Sequence, residues 1–248
     1  MKQVLYGFGV AALLVLIGWQ WQKNSSTKVE NVTVTGPKPA EKVAYVTFDD
    51  GPSEITPWIL DTLKKYDAKA TFFLIGEEIT EEREEIVKRE IEEGHSVGVH
   101  TYCHKKEEMY CNKEYFWNDF EKCKTRIEEV IGKPVSLHRF PWGSNNGYVC
   151  PLVDDLMEEL QKKKITSFDW NVSGEDSISP HVSQAVIFQN VKKDVTRFEK
   201  PIILLHDASA MDNTAKVLPQ IIDYIKEQGY RFDTLDHREE YLFPASWR

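Results

Sequence analysis

From residue 43 to residue 235 the chain keeps switching between two hydrophobic periods, and this alternation restricts its fold more than any single residue does. Runs rich in β-branched and aromatic residues at 43–48, 70–75, 95–99, 135–140, 165–170, 202–205 and 230–235 read as strands. Between them, 56–66, about 82–93, 114–131, 151–162, 181–195 and 216–228 carry amphipathic spacing and read as helices. Pro57 suits the first turn of one helix, and Gly94, Gly132 and Gly229 are placed to end three others. Strands joined by helical crossovers lie parallel. The expected fold class is therefore α/β, a barrel-like parallel sheet wrapped by helices.

In such folds chemistry gathers where the strands end, at their C-terminal edge. Asp49, His100, Arg139, Trp170 and His206 all fall at expected strand ends. His100 and His104 are four residues apart, a spacing that puts both imidazoles on one side of a helical turn and within reach of one metal ion. Zinc proteases with this spacing have Glu after the first His, serving as general base. Here Thr101 stands there, so a base has to come from elsewhere. The Asp49-Asp50 pair supplies it, with one carboxylate on the metal and the other on the attacking water. Two His and one Asp leave coordination positions open, which points to metal-assisted hydrolysis. Taken singly, Asp-Asp-Gly-Pro is a turn, Arg139 a surface ion pair, Trp170 core and His206 a buried histidine. Their joint placement at strand ends argues otherwise. His95, His138, His181 and His237 have no such company and read as structural.

The net charge of −9 argues against nucleic acid as a partner. Residues 4–21 carry no charge and lie between Lys2 and Lys23, near the lower length limit for a membrane span. Gly18-Trp19-Gln20-Trp21-Gln22 is a poor cleavage site, and two Trp suit a membrane interface. The expected organisation is a signal anchor over 1–22, a polar tether over 23–41, a catalytic domain over 42–236 and a tail over 237–248. That places the domain outside a cell membrane; a cleaved signal peptide, and secretion, is the alternative. Cys103, Cys111, Cys123 and Cys150 permit disulfides in an oxidising compartment, without selecting a pairing. No signal for a protein partner is evident.

Five segments occur in order: Thr47-Phe48-Asp49-Asp50-Gly51-Pro52, His100-Thr101-Tyr102-Cys103-His104, Arg139-Phe140-Pro141-Trp142-Gly143, Asp169 to Asp176, and Leu204-Leu205-His206-Asp207. Together they resemble the polysaccharide deacetylases of carbohydrate esterase family 4, the NodB-homology domain, over about residues 42–236. The wording is most similar to bacterial peptidoglycan N-acetylglucosamine deacetylases. The resemblance implies a distorted (β/α)7 barrel that removes acetyl from N-acetylated sugars of a cell-wall glycan. It implies a divalent metal, zinc or a substitute such as cobalt, on Asp50, His100 and His104, with Asp49 as base. Arg139 would pair with Asp49, and the Trp142 backbone N–H would serve the oxyanion. Trp170 and Leu204 would wall the acetyl pocket, and His206 would protonate the leaving amine with Asp176 supporting it. Trp142 departs from the Tyr or Gly more usual there, which bears on groove shape. The alternatives are a chitooligosaccharide deacetylase, an O-acetyl-xylan esterase, or an inactive carbohydrate-binding protein.

Overall fold

The computed structural model describes residues 41–179 and 181–247. Its strands are β1 (Val43–Gly51), β2 (Ala70–Ile75), β3 (Ser96–Thr101), β4 (Leu137–His138), β5 (Thr166–Ser167), β6 (Val172–Ser173), β7 (Ile202–His206) and β8 (Arg231–Phe232). The helices are α1 (Thr56–Lys65), α2 (Glu84–Glu92), α3 (Lys106–Met109), α4 (Lys113–Ile131), α5 (Val153–Lys162), α6 (Gln184–Val195) and α7 (Asp212–Glu227). Every strand pairing is parallel, in the order β5-β4-β3-β2-β1-β7-β6, and β8 pairs with the start of β1. The sheet curls into a half-barrel with helices around it. Of the strand 165–170 anticipated from sequence only the two-residue β5 forms, and a separate two-residue strand, β6, follows Trp170 and pairs at the other end of the sheet.

Strand β1 sits between β2 and β7 and is buried along nearly all of its length, as a central parallel strand is. Its period of two sorts its side chains. Ala44, Val46 and Phe48 join the large core beneath the helices, whereas Val43 and Tyr45 join a smaller inner cluster with Phe73, Leu137, Phe168, Ile202 and Leu235. Thr47 and Asp49 continue that inner row towards the C-terminal edge. Gly98 makes room inside the curl, because a Cβ there would lie 2.7 Å from the Phe73 ring.

Helix α4 has the clearest sequence logic. Asn112 caps it by accepting from Tyr115 N at 3.1 Å, and Gly132 ends it in the left-handed conformation, φ 67°. Phe116, Phe120, Cys123 and Ile127 form one buried stripe at helical spacing. Phe120→Ala alone would cost about 3–5 kcal/mol through lost burial and the cavity left behind.

Residues 237–248, expected as a tail, are part of the packed unit in their described portion. Asp169 N donates to Tyr241 O at 2.7 Å, Phe243 N donates to Asp169 Oδ2 at 2.6 Å, and the Phe243 ring meets the edge of Trp170, centroids 5.0 Å apart. The anchor and, except for Glu41, the tether lie outside the described residues. Among the described residues no helix is long and apolar enough to cross a membrane. All four cysteines are free thiols, and Cys123 is fully buried.

Candidate active site

Adjacent residues of a strand point to opposite faces, so two neighbouring aspartates should not share a site. Asp50 resolves this with a φ of 74°, a left-handed conformation that non-glycine residues seldom adopt. The β1–β2 register shifts between Asp49 and Gly51, and both carboxylates then line one cleft. Gly51 is obligatory at this bend, since a Cβ would stand 2.2 Å from the Asp207 carboxylate.

His100 and His104 do meet, but not on a helical turn as their spacing implied. His100 is in β3, and the chain then bends through Tyr102 and Cys103 to His104, whose φ is 52°. A left-handed residue at the end of the bend brings the second imidazole alongside the first, ring centroids 5.4 Å apart. Asp50 Oδ1 lies 3.4 Å from Nε2 of each histidine.

These three donor atoms fit a metal ion on the chemistry of the site itself. His100 Nδ1 is 2.9 Å from the Arg139 carbonyl, which can only accept, so Nδ1 carries the hydrogen and Nε2 presents a lone pair. Burial, and then the neighbouring His100, push the His104 pKa down, favouring the neutral imidazole that ligates. Asp50 Oδ1 is buried and has no hydrogen-bond partner. Lone pairs facing one another around an unpartnered carboxylate oxygen are what a cation relieves. Cys103, the other nearby ligand type, is not in the cluster, and burial pushes its thiol up to about 12.

Asp49 is held from behind. Arg139, fully buried, sends Nη1 to Asp49 Oδ1 at 2.8 Å and to Thr47 Oγ1 at 2.6 Å, and Nε to Phe168 O at 2.8 Å. Its guanidinium lies 4.3 Å over the Phe73 ring in the inner cluster. The other Asp49 oxygen is 4.0 Å from His100 Nε2. The guanidinium on one side fixes the direction of this carboxylate and leaves its other oxygen facing the ligand cluster.

Across the cleft, His206 ends β7. Its Nδ1 is 2.8 Å from Asp176 Oδ1, and its backbone N donates to Asp176 Oδ2 at 2.8 Å, an oxygen that also accepts from Thr214 Oγ1 at 2.7 Å. Burial disfavours the charged imidazole, but the Asp176 hydrogen bond and charge, with Asp49 and Asp50 beyond, outweigh it and lift the pKa to about 9. His206 Nε2 faces the cleft, 3.3 Å from Ser177 Oγ.

The cleft measures about 470 Å³ and is lined by Asp49, Asp50, His100, His104, Trp142, Trp170, Leu204 and His206, together with Ser177 and Met211. Arg139 and Asp176 stand one layer behind. All ten residues singled out in the sequence thus meet in one place. Trp142 is left-handed at φ 63°, and its half-exposed ring packs on His104 with centroids 4.6 Å apart. Ser177 and Met211 were not anticipated: Ser177 could have been found as the residue after Asp176, but Met211 lies in a loop without periodicity. His95 and His138 are buried and pushed to the neutral form by burial, His95 down to about 4, and His237 pairs with Asp233; none lines the cleft.

The polysaccharide deacetylase family pattern matches residues 36–158. A peptidoglycan-N-acetylglucosamine deacetylase of Bacillus cereus (strain ATCC 14579) is 38% identical over 210 residues, covering 83% of this chain and 73% of the relative. Among solved structures, the catalytic domain of a peptidoglycan N-acetylglucosamine deacetylase from Eubacterium rectale superposes with a TM-score of 0.75 at 29% identity, over 86% of this chain and 98% of that one. A polysaccharide deacetylase from Bacillus cereus gives 0.70 at 37% identity, over 82% and 96%. The chain belongs to the polysaccharide deacetylase family.

Proposed function

We propose that this chain hydrolyses the acetamide of N-acetylglucosamine residues in peptidoglycan, releasing acetate and leaving the free amine on the glycan. One observation carries the reading: a metal-fitting Asp50–His100–His104 cluster and a proton-holding Asp176–His206 pair face each other across one cleft, with Arg139-braced Asp49 beside the cluster. A divalent cation, zinc or another ion that accepts two imidazoles and a carboxylate, would polarise the amide carbonyl and acidify water there. Asp49 takes one proton from the attacking water as its oxygen bonds to the carbonyl carbon. The backbone N–H of Trp142 donates to the carbonyl oxygen as negative charge develops. His206 delivers the proton at Nε2 to the amide nitrogen as the C–N bond breaks, and Asp176 holds its Nδ1–H. Trp170 and Leu204 line the same cleft and would wall the acetyl group. A braced base and complete donor cluster favour an enzyme over an inactive carbohydrate-binding protein.

The charge-free segment 4–21 supports a membrane anchor with the domain outside the cell, where peptidoglycan lies. The deciding experiment measures acetate release from peptidoglycan, chitooligosaccharides and acetyl-xylan, before and after chelation and with Zn²⁺ or Co²⁺ restored. Chelator-sensitive release from peptidoglycan supports the reading. Release from chitooligosaccharides or xylan alone would reassign the substrate, and no release from any would remove the enzymatic reading.

A further inference from the structure

Trp170, one wall of the cleft, stands at a break in the sheet. β5 has ended at Ser167 and β6 begins only at Val172, so Trp170 belongs to neither strand. Side chains hold its ring instead. The Arg139 guanidinium lies 5.7 Å from the ring centre. The Phe243 ring meets it edge to face, centroids 5.0 Å apart and planes at 80°. Phe243 is buried and stands behind the wall, not among the residues that line the cleft. Gly143 fills the angle between the two rings. It is left-handed at φ 83°, and a Cβ there would lie 2.8 Å from the Phe243 ring and 3.0 Å from the Trp170 ring. The three groups meet without spare room.

Asp169, the fully buried neighbour of Trp170, pins Phe243 where it is. Its Oδ2 accepts from Phe243 N at 2.6 Å and from Ser144 Oγ at 2.5 Å, and its Oδ1 accepts from Ser144 N at 2.9 Å. Its own N donates to Tyr241 O at 2.7 Å. A carboxylate can only accept, so all three hydrogens point at it. One buried side chain thus ties together the C-terminal segment, the loop that carries Trp142 and Gly143, and the backbone beside Trp170. Phe243 cannot withdraw without breaking a charge-assisted bond away from water.

We infer that Phe243 is a specificity-determining residue: from behind the cleft it holds Trp170 forward and so limits the acyl group to two carbons. This rests on the N-deacetylation reading above, in which Trp170 walls the acetyl group. Packed rings transmit such a limit because a protein interior has little free volume to give up. Phe243→Ala leaves a cavity behind Trp170, and surroundings relax in part into a cavity of that kind. The wall then yields, and a propionyl group can enter. Phe243→Leu keeps much of the bulk and should yield less. A hydrophobic pocket discriminates one methylene by about 10–200-fold, which bounds what loss of the brace can relax.

The test uses the full chain loaded with Zn²⁺ and a peptidoglycan preparation whose glucosamine amines are chemically re-acylated with either acetyl or propionyl. Acetate and propionate release are measured on the same enzyme sample, so the ratio of the two kcat/KM values does not depend on how much of a variant is folded. The expected result is a wild-type preference for acetyl, reduced by about tenfold in Phe243→Ala and by about threefold in Phe243→Leu. A brace that served stability alone would lower both rates together. An unchanged ratio in whichever variant retains activity therefore overturns the inference. Wild-type enzyme that releases propionate as fast as acetate also overturns it, and leaves the deacetylase reading standing. Wild-type enzyme that releases neither removes that reading and this inference with it.

Discussion

Arg139 is fully buried and Asp49 nearly so at the wall of the cleft, and the two ends of their ion pair are unequally supported. Arg139 has Thr47 Oγ1 at 2.6 Å, Phe168 O at 2.8 Å and Asp169 O at 3.4 Å in addition to Asp49. Asp49 has Arg139 at 2.8 Å and only a 4.0 Å approach to His100. Arg139→Met therefore strands a buried carboxylate and a carbonyl, which costs about 3–5 kcal/mol for the broken pair. Asp49→Asn leaves an oxygen for Nη1 and keeps the three other bonds, so its cost is nearer the 1.5–3 kcal/mol of a weakened charge-assisted bond, about 2 kcal/mol less. For a domain of this size each kcal/mol moves the melting temperature by roughly 2–4 °C. Arg139→Met should then melt about 6–20 °C below wild type and several degrees below Asp49→Asn. The double variant leaves no stranded charge and should be less damaged than the two single losses added together. The assay is thermal unfolding with chelator present, so that bound metal adds nothing, beside acetate release on the same samples with metal restored. Asp49→Asn should keep its metal and lose about 10²–10⁴-fold in turnover. An Arg139→Met protein as stable as Asp49→Asn, or additive behaviour in the double variant, would refute the argument.

His206 is raised from 6.5 to about 9 in the fold, so its contribution to stability is full below pH 6.5 and disappears as pH climbs through 9. The stability gap between metal-free wild type and His206→Gln should narrow across that window; a constant gap would show that the charge plays no part. Turnover of His206→Gln should fall about 10²–10⁴-fold with metal content unchanged, and equal loss of both would put His206 among the ligands. Asp50→Ala should lose metal and acetate release together, checked by elemental analysis, whereas full metal occupancy would dismiss it as a ligand. Glu90 on α2 is fully buried, both of its carboxylate oxygens lack partners, and burial and then Asp207 raise its pKa well above the usual range. Because the unfolded chain releases that proton more readily, wild-type stability should decline from about pH 4.5 upward relative to Glu90→Gln. Parallel pH–stability curves for the two proteins would contradict this.

The alternation of periods made the parallel sheet legible, because buried strands and amphipathic helices leave different marks. The site residues were legible for a related reason: chemistry placed at strand ends stands next to an apolar run. The histidine spacing misled as to backbone, since four residues fit a helical turn and an open bend equally well, and the bend is held by groups remote in sequence, Asp119 on α4 and the Glu77 N–H on Tyr102 O. Asp-Asp-Gly-Pro reads as a turn, but nothing in it says that Asp50 takes a positive φ at the end of β1 and turns its carboxylate to the side of Asp49. The described C-terminal residues looked like a tail because they are held by scattered hydrogen bonds, among them Tyr241 O and Phe243 N on Asp169, and by the Phe243 ring, none of which leaves a periodic signal.

Asp49 and His206 are partners in the β1–β7 register. Their backbone separation is one inter-strand spacing, about 4.8 Å, fixed by peptide hydrogen bonds rather than by any side chain. Proton acceptor and proton donor are in this sense built into the chassis, and neither insertion nor deletion in a rim loop can retune the gap between them. The rim around Met211, which lines the cleft but carries none of the reacting groups, has no such constraint. Grafting that loop between relatives should change the preferred glycan while leaving the reaction intact, so new substrates can be acquired in this architecture without the chemistry having to be invented again.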